Sequence, residues 1–111
     1  MVPGKESRIV LVTCGSMSEA RKIARHVVRK RLAACANVAS SPVQSTYWWK
    51  GKVEIAHEVL MILKTSARRL AELEREVLRL HSYDVPEFIV VPIVAGTREY
   101  LAWVNESVKR V

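Results

Sequence analysis

The sequence predicts an α+β sandwich: an antiparallel sheet with helices on one face, in which two βαβ halves share a central hairpin. Three observations carry this. Residues 43–64 read as two long strands joined by a tight turn at Lys50-Gly51. Short apolar runs at residues 8–14 and 87–94 stand outside the hairpin. Between each run and the hairpin lies a stretch whose apolar residues recur at helical spacing.

Taken in order, residues 8–14 with Ile9-Val10-Leu11-Val12 predict a buried first strand. Gly15 and Ser16 break it. Ser16 and Glu19 have the capping-box spacing, in which each side chain satisfies a free backbone donor of the other. Ala20, Ile23, Ala24, Val27, Val28 and Leu32 repeat at helical spacing, so the first helix is expected to end near Leu32. A second strand follows over residues 33–38. Ser40-Ser41-Pro42 interrupts it, because proline cannot donate to the ladder, and a bend or bulge is expected there.

In the hairpin, Thr46-Tyr47-Trp48-Trp49 favours a pleated, half-buried surface. Gly51 admits the positive φ of a short loop. Val53, Ile55, His57 and Val59 alternate with Glu54, Ala56 and Glu58, and from Val59 to Leu63 the apolar run is continuous. One strand therefore changes from wet on one face to buried on both. Thr65 or Ser66 is expected to cap a second helix whose stripe is Leu70, Leu73, Val77 and Leu80. Residues 81–86 form a loop. Residues 87–94 form a strand that Pro92 confines to an edge or ends early. Gly96-Thr97 opens a terminal helix with Tyr100, Leu101, Val104 and Val108 in one stripe and Trp103 beside it. The order is βαββαβ plus a C-terminal helix, a ferredoxin-like arrangement, read as one domain over residues 1–111.

Length adds a prediction of its own. At ~3.3 Å per residue, residues 52–64 span roughly 43 Å. A compact domain of this size has a diameter of roughly 35 Å. The hairpin overhangs, and its tip carries Tyr47, Trp48 and Trp49, too apolar a patch to leave in water. More than one copy of the chain is expected to assemble there.

The chain of 111 residues can bury one core without disulfides or metals. Cys14 and Cys35 match no disulfide framework or zinc spacing and are read as reduced, buried thiols. No apolar run approaches the ~20 residues needed to span a bilayer. Residues 1–7 lack the apolar core of a signal peptide, so a cytoplasmic protein without membrane contact is expected. The net charge of +7 is uneven: between Ser16 and Leu32, Arg21, Lys22, Arg25, Arg29, Lys30 and Arg31 stand against Glu19 alone. With no helix-turn-helix, finger or ribonucleoprotein aromatic motif, this stripe is read as a solvated helix face, and nucleic acid is not expected as a partner. No serine, cysteine or threonine has a recognisable base partner, there is no glycine-rich phosphate loop, and Asp84 is the single aspartate. A non-catalytic protein without an organic cofactor is expected.

Five blocks of the sequence resemble the CutA family, the divalent-cation tolerance proteins. They are Arg31-Leu32-Ala33-Ala34-Cys35, Tyr47-Trp48-Trp49-Lys50-Gly51-Lys52, Leu63-Lys64-Thr65, His81-x-Tyr83-x-x-Pro86-Glu87 and Tyr100-Leu101-x-Trp103. The resemblance runs from Arg8 to Val108 and implies a ferredoxin-like fold and a homotrimer in which long hairpins complete neighbouring sheets. It also implies tolerance of copper and other divalent cations, with copper held by a first-strand cysteine and by histidines before the Tyr-x-x-Pro-Glu loop. Val12 falls where that cysteine lies, and Cys14 follows two residues on, on the same strand face. Of the paired histidines His81 is present; Leu80 takes the other place and Ser82 the place of a proline.

His81 is thus the metal candidate, for copper or another divalent cation; its other reading is a partner for the end of the second helix. His57 is read as a satisfied interface histidine and His26 as an exposed one. Arg31, Cys35, Lys64, Tyr83, Glu87 and Trp103 lie inside the matched blocks and form a candidate inter-subunit cleft. There Arg31 and Lys64 suit an anion and Tyr83 and Trp103 wall it. That cleft supports the alternative function, a trimeric signalling or scaffold module binding a small anionic metabolite or a partner protein.

Overall fold

Two central strands, β1 (Val2–Cys14) and β4 (Lys52–Ser66), carry the sheet in the computed structural model, which describes residues 1–110. They pair antiparallel from Ser7 opposite Ser66 to Cys14 opposite Val59. β5 (Ile89–Gly96) pairs with the other side of β1. β2 (Cys35–Val38) and β3 (Val43–Trp49) succeed one another along the free side of β4. The sheet order is β2-β4-β1-β5, with β3 continuing the β2 edge. Ser40-Ser41-Pro42 falls in the break between β2 and β3, where the bend was expected. The helices are α1 (Met17–Arg29), α2 (Leu70–Leu80) entered through a 3-10 turn at Ala67–Arg69, and α3 (Arg98–Ser107). The predicted α+β, ferredoxin-like order is the observed one.

Alternation along the strands sorts their side chains. Val10, Val12 and Cys14 of β1 and Val59, Met61 and Leu63 of β4 are buried with Ala20, Ile23 and Val27 of α1 and Leu73 and Val77 of α2. The opposite face, with Ile9, Leu11, Leu60 and Ile62, is half-buried. α3 rests against β1 and β4, burying Leu101, Val104 and Val108. His26, expected to be exposed, is half-buried and ties α1 to α2: its Nε2 lies 2.6 Å from Glu76 Oε1. Hydrogen bonds from Arg79 and then from His26 hold the Glu76 carboxyl down at about 2.

Four local details differ from expectation, each for a physical reason. First, β1 begins at Val2 because residues 2–4 pair with β5 across a register shift that bulges residues 5–7. Second, β5 is the predicted edge strand but continues past Pro92 to Gly96; Pro92 sits opposite Arg8 at the bulge, where no ladder donor is demanded of it. Third, α1 stops at Arg29. Arg31 adopts φ 58°, its N–H donates to Val28 O at 3.0 Å and the Leu32 N–H to Val27 O at 2.8 Å, a Schellman ending without glycine. Fourth, Thr65 caps nothing: its buried Oγ1 donates to Leu32 O at 2.6 Å, and Ser66 makes no side-chain cap bond.

The hairpin loop is two residues long, with φ 51° at Lys50 and 78° at Gly51, the pair of positive angles a type I′ turn requires. It reaches past the helices, and the chain measures 44 × 27 × 24 Å. At the tip Trp48 is 74 %, Ile55 60 % and Val53 56 % exposed. His57 is exposed in this single chain.

Candidate metal centre

The last residue of β1, the first turn of α1 and the residue ending α2 meet at one corner of the core. Ser16, extended at φ −148° and ψ 156°, caps α1 by accepting from the Glu19 N–H at 3.2 Å. The Glu19 carboxylate does not return the bond. Its Oε1 accepts from the Ser82 N–H at 3.0 Å, so half the predicted capping box is diverted to the loop after α2. That turns Glu19 Oε2 inward, buried without a hydrogen-bond partner. His81 closes α2 through its N–H to Val77 O at 3.0 Å. Its buried ring is held at both nitrogens: Nε2 donates to Thr13 O at 2.8 Å and Nδ1 accepts from the Tyr83 N–H at 3.1 Å. These two bonds fix a neutral tautomer, so the 3.9 Å approach of Nδ1 to Glu19 Oε2 is not an ion pair.

Cys14 completes the corner. One ligand atom each from Cys14, Glu19 and His81 lie within 4.8 Å of one another. Cys14 Sγ also approaches Met61 Sδ at 3.6 Å. Burial, helped by the Glu19 and Glu58 charges, pushes the Cys14 thiol up to about 12, so the corner rests with its proton on sulfur. A nitrogen, a carboxylate oxygen and sulfur form a donor set for a borderline or soft cation rather than for magnesium or calcium. The orphaned Glu19 oxygen fits such an ion, whose uptake would displace the thiol proton and the hydrogen bond from the Tyr83 N–H to His81 Nδ1.

The sequence singled out His81 and placed Cys14 on the relevant strand face, but missed Glu19 and Met61. Glu19 was hidden by its capping spacing and Met61 by the apolar run around it. The available signal was register: Val12 lies opposite Met61 and Cys14 opposite Val59, on the same face.

The six residues of the candidate cleft fall into two groups within the chain. Cys35 lies opposite Lys64, and both reach Asn37 Oδ1. Burial, and then the charge of Cys35, raise the Tyr100 phenol, and its ring packs against Trp103 tilted by 40° with centroids 5.5 Å apart. Arg31 Nη1 donates to Ser107 O at 3.1 Å. Tyr83 and Glu87 belong instead to the hairpin base, where the Tyr83 hydroxyl donates to Glu58 Oε2 at 2.8 Å. Burial, and then this bond, raise the Tyr83 phenol above its ordinary range. Glu58 and Lys64 are six residues apart on β4, roughly 20 Å.

A family model described as CutA1 divalent ion tolerance protein matches residues 8–107. The divalent-cation tolerance protein CutA of Archaeoglobus fulgidus is 41% identical over 100 residues, 90% of this chain and 96% of that protein. The rice protein CutA 1, chloroplastic, is 38% identical over 103 residues; they are 93% of this chain and 58% of the longer plant protein. The solved structure of the periplasmic divalent cation tolerance protein CutA from Archaeoglobus fulgidus superposes with a TM-score of 0.89 at 40% identity, covering 93% of this chain and 99% of that one. Among the described residues no helix is long and apolar enough to cross a membrane.

Proposed function

Because the chain belongs to the CutA1 divalent ion tolerance family, we propose that it is a non-catalytic, homotrimeric protein that takes up copper or another divalent cation at Cys14, Glu19 and His81. The observation that carries this reading is the convergence of three unlike donors within 4.8 Å, one of them a buried carboxylate oxygen without a partner. The thioether of Met61 beside Cys14 biases the corner toward copper. Two free thiols suit a reducing compartment, and we place the protein in the cytoplasm. Trimer formation is supported by the exposed apolar tip at Trp48, Val53 and Ile55 and by the half-open sheet face. In a ring, the Tyr83–Glu87 end of one chain would meet the Arg31, Cys35, Lys64 and Trp103 end of the next, opposite charges together.

Native mass spectrometry with and without Cu(II) tests this, with His81→Ala and Cys14→Ser alongside. A trimer mass that carries copper in the parent protein and loses it in both variants is expected. A trimer that ignores copper would remove metal uptake from the function, and copper retained by both variants would move it elsewhere.

A further inference from the structure

The start of α2 runs against the preference of helix beginnings for acidic side chains. It is entered through Ala67–Arg69, a turn that holds Arg68 and Arg69 and no acidic residue. Ser66 makes no cap bond, and its Oγ is buried without a hydrogen-bond partner. Arg69, in the cap position of α2, makes no side-chain cap bond either. Positive side chains are thus added to the positive end of the helix, where like charges repel.

The same turn meets the end of α3 around a cavity of about 310 Å³, lined by Arg68, Arg69, Val108, Lys109 and Arg110. Arg69 is only 5 % exposed. Its Nε donates to Arg31 O at 3.3 Å and its Nη1 to Glu72 Oε1 at 3.1 Å, which leaves Nη2 for the cavity. That Glu72 oxygen also accepts from Arg110 at 3.2 Å, and Glu106 pairs with Lys109 at 2.9 Å. Among the described residues Arg68 has no acidic partner. Four cations therefore share two carboxylates, a surplus of two positive charges around one space. The contacts described for the trimer set the Tyr83–Glu87 end against Arg31, Cys35, Lys64 and Trp103, and none of these four lines the cavity.

A guanidinium and the free N–H groups of a helix start both donate to an oxyanion, and a dianion cancels a surplus of two. The volume lies at the lower end of the range for small-ligand pockets. We propose that this cavity is a binding site for a phosphate group, held by Arg69 Nη2 and by Arg68, Lys109 and Arg110 beside the start of α2. It is separate from the metal corner and stands whether or not the chain holds copper. Isothermal titration of the assembled protein tests it at fixed ionic strength and about pH 8, where phosphate is a dianion. Inorganic phosphate and phenyl phosphate are the probes, with acetate as the monoanionic match. Inorganic phosphate is expected to bind and acetate not. Arg68→Gln with Lys109→Gln, both exposed, should weaken binding by about tenfold. Arg21→Gln with Lys22→Gln, an equal loss of exposed charge near the far end of α1, should leave it unchanged. Phenyl phosphate bound as tightly as phosphate would assign the site to a monoester, and its exclusion would assign it to the free ion. Equal weakening by the two pairs of substitutions would overturn the assignment, since the attraction would then be diffuse. So would an affinity that ignores the first pair, equal uptake of acetate, or the absence of any uptake, which would leave a neighbouring chain's carboxylate as the counter-charge.

Discussion

Cys14 shows what burial does to a reactive group. Its thiol is lifted from an ordinary 9.0 to about 12, first by loss of water and then by the Glu19 and Glu58 charges. The folded chain therefore holds this proton more tightly than the unfolded chain, and the Tyr83 phenol shifts in the same direction. The stability tied to these protons is complete below pH 9 and is lost as pH rises from 9 toward 12. Guanidinium midpoints measured under reducing conditions from pH 7 to 11 should fall on the alkaline side, and Cys14→Ala should flatten that fall. Parallel curves for both proteins would rule out the raised thiol as a source. The residues of the corner were legible as types, His81 before its loop and Cys14 on its strand. Their meeting was not, because it depends on α2 ending against the end of β1, a packing relation that no local pattern encodes.

Among the elements, the hairpin was legible nearly to the residue: alternation, aromatic content and the Lys50-Gly51 turn all point the same way. The ends of β1 and α1 were not. Residues 2–4 stand outside the apolar run that marks the first strand, and only the β5 edge recruits them into the sheet. Gly4 makes that recruitment possible, since a Cβ there would lie 2.2 Å from Ile93 O. Gly4→Ala should detach this segment at a local cost of ~1–3 kcal/mol. Faster hydrogen exchange at residues 93–96 with unchanged protection in α1 would be the sign of it; exchange identical to the parent would mean that the bulge absorbs the methyl group. α1 ended early because Arg31 takes a left-handed conformation that its side chain does not announce.

For the whole molecule, the overhanging hairpin dominates. In the proposed trimer the exposed Val53 and Ile55 would be covered, so a charge at Ile55 should oppose assembly. Ile55→Glu is expected to weaken each interface by ~2 kcal/mol or more. Light scattering should then report monomer with unchanged far-ultraviolet circular dichroism; an intact trimer would take Ile55 out of the interface. The same topology sets the order in which the chain acquires its shape. The hairpin joins strands that are neighbours in sequence, a contact formed within about 1–10 μs. The β1–β4 ladder instead pairs Ser7 with Ser66 and Cys14 with Val59, so α1 and the outer hairpin strand lie inside the loop it must close. The apolar tip is therefore complete long before the sheet centre that anchors it, and a newly made chain carries an adhesive arm through the slowest part of its folding.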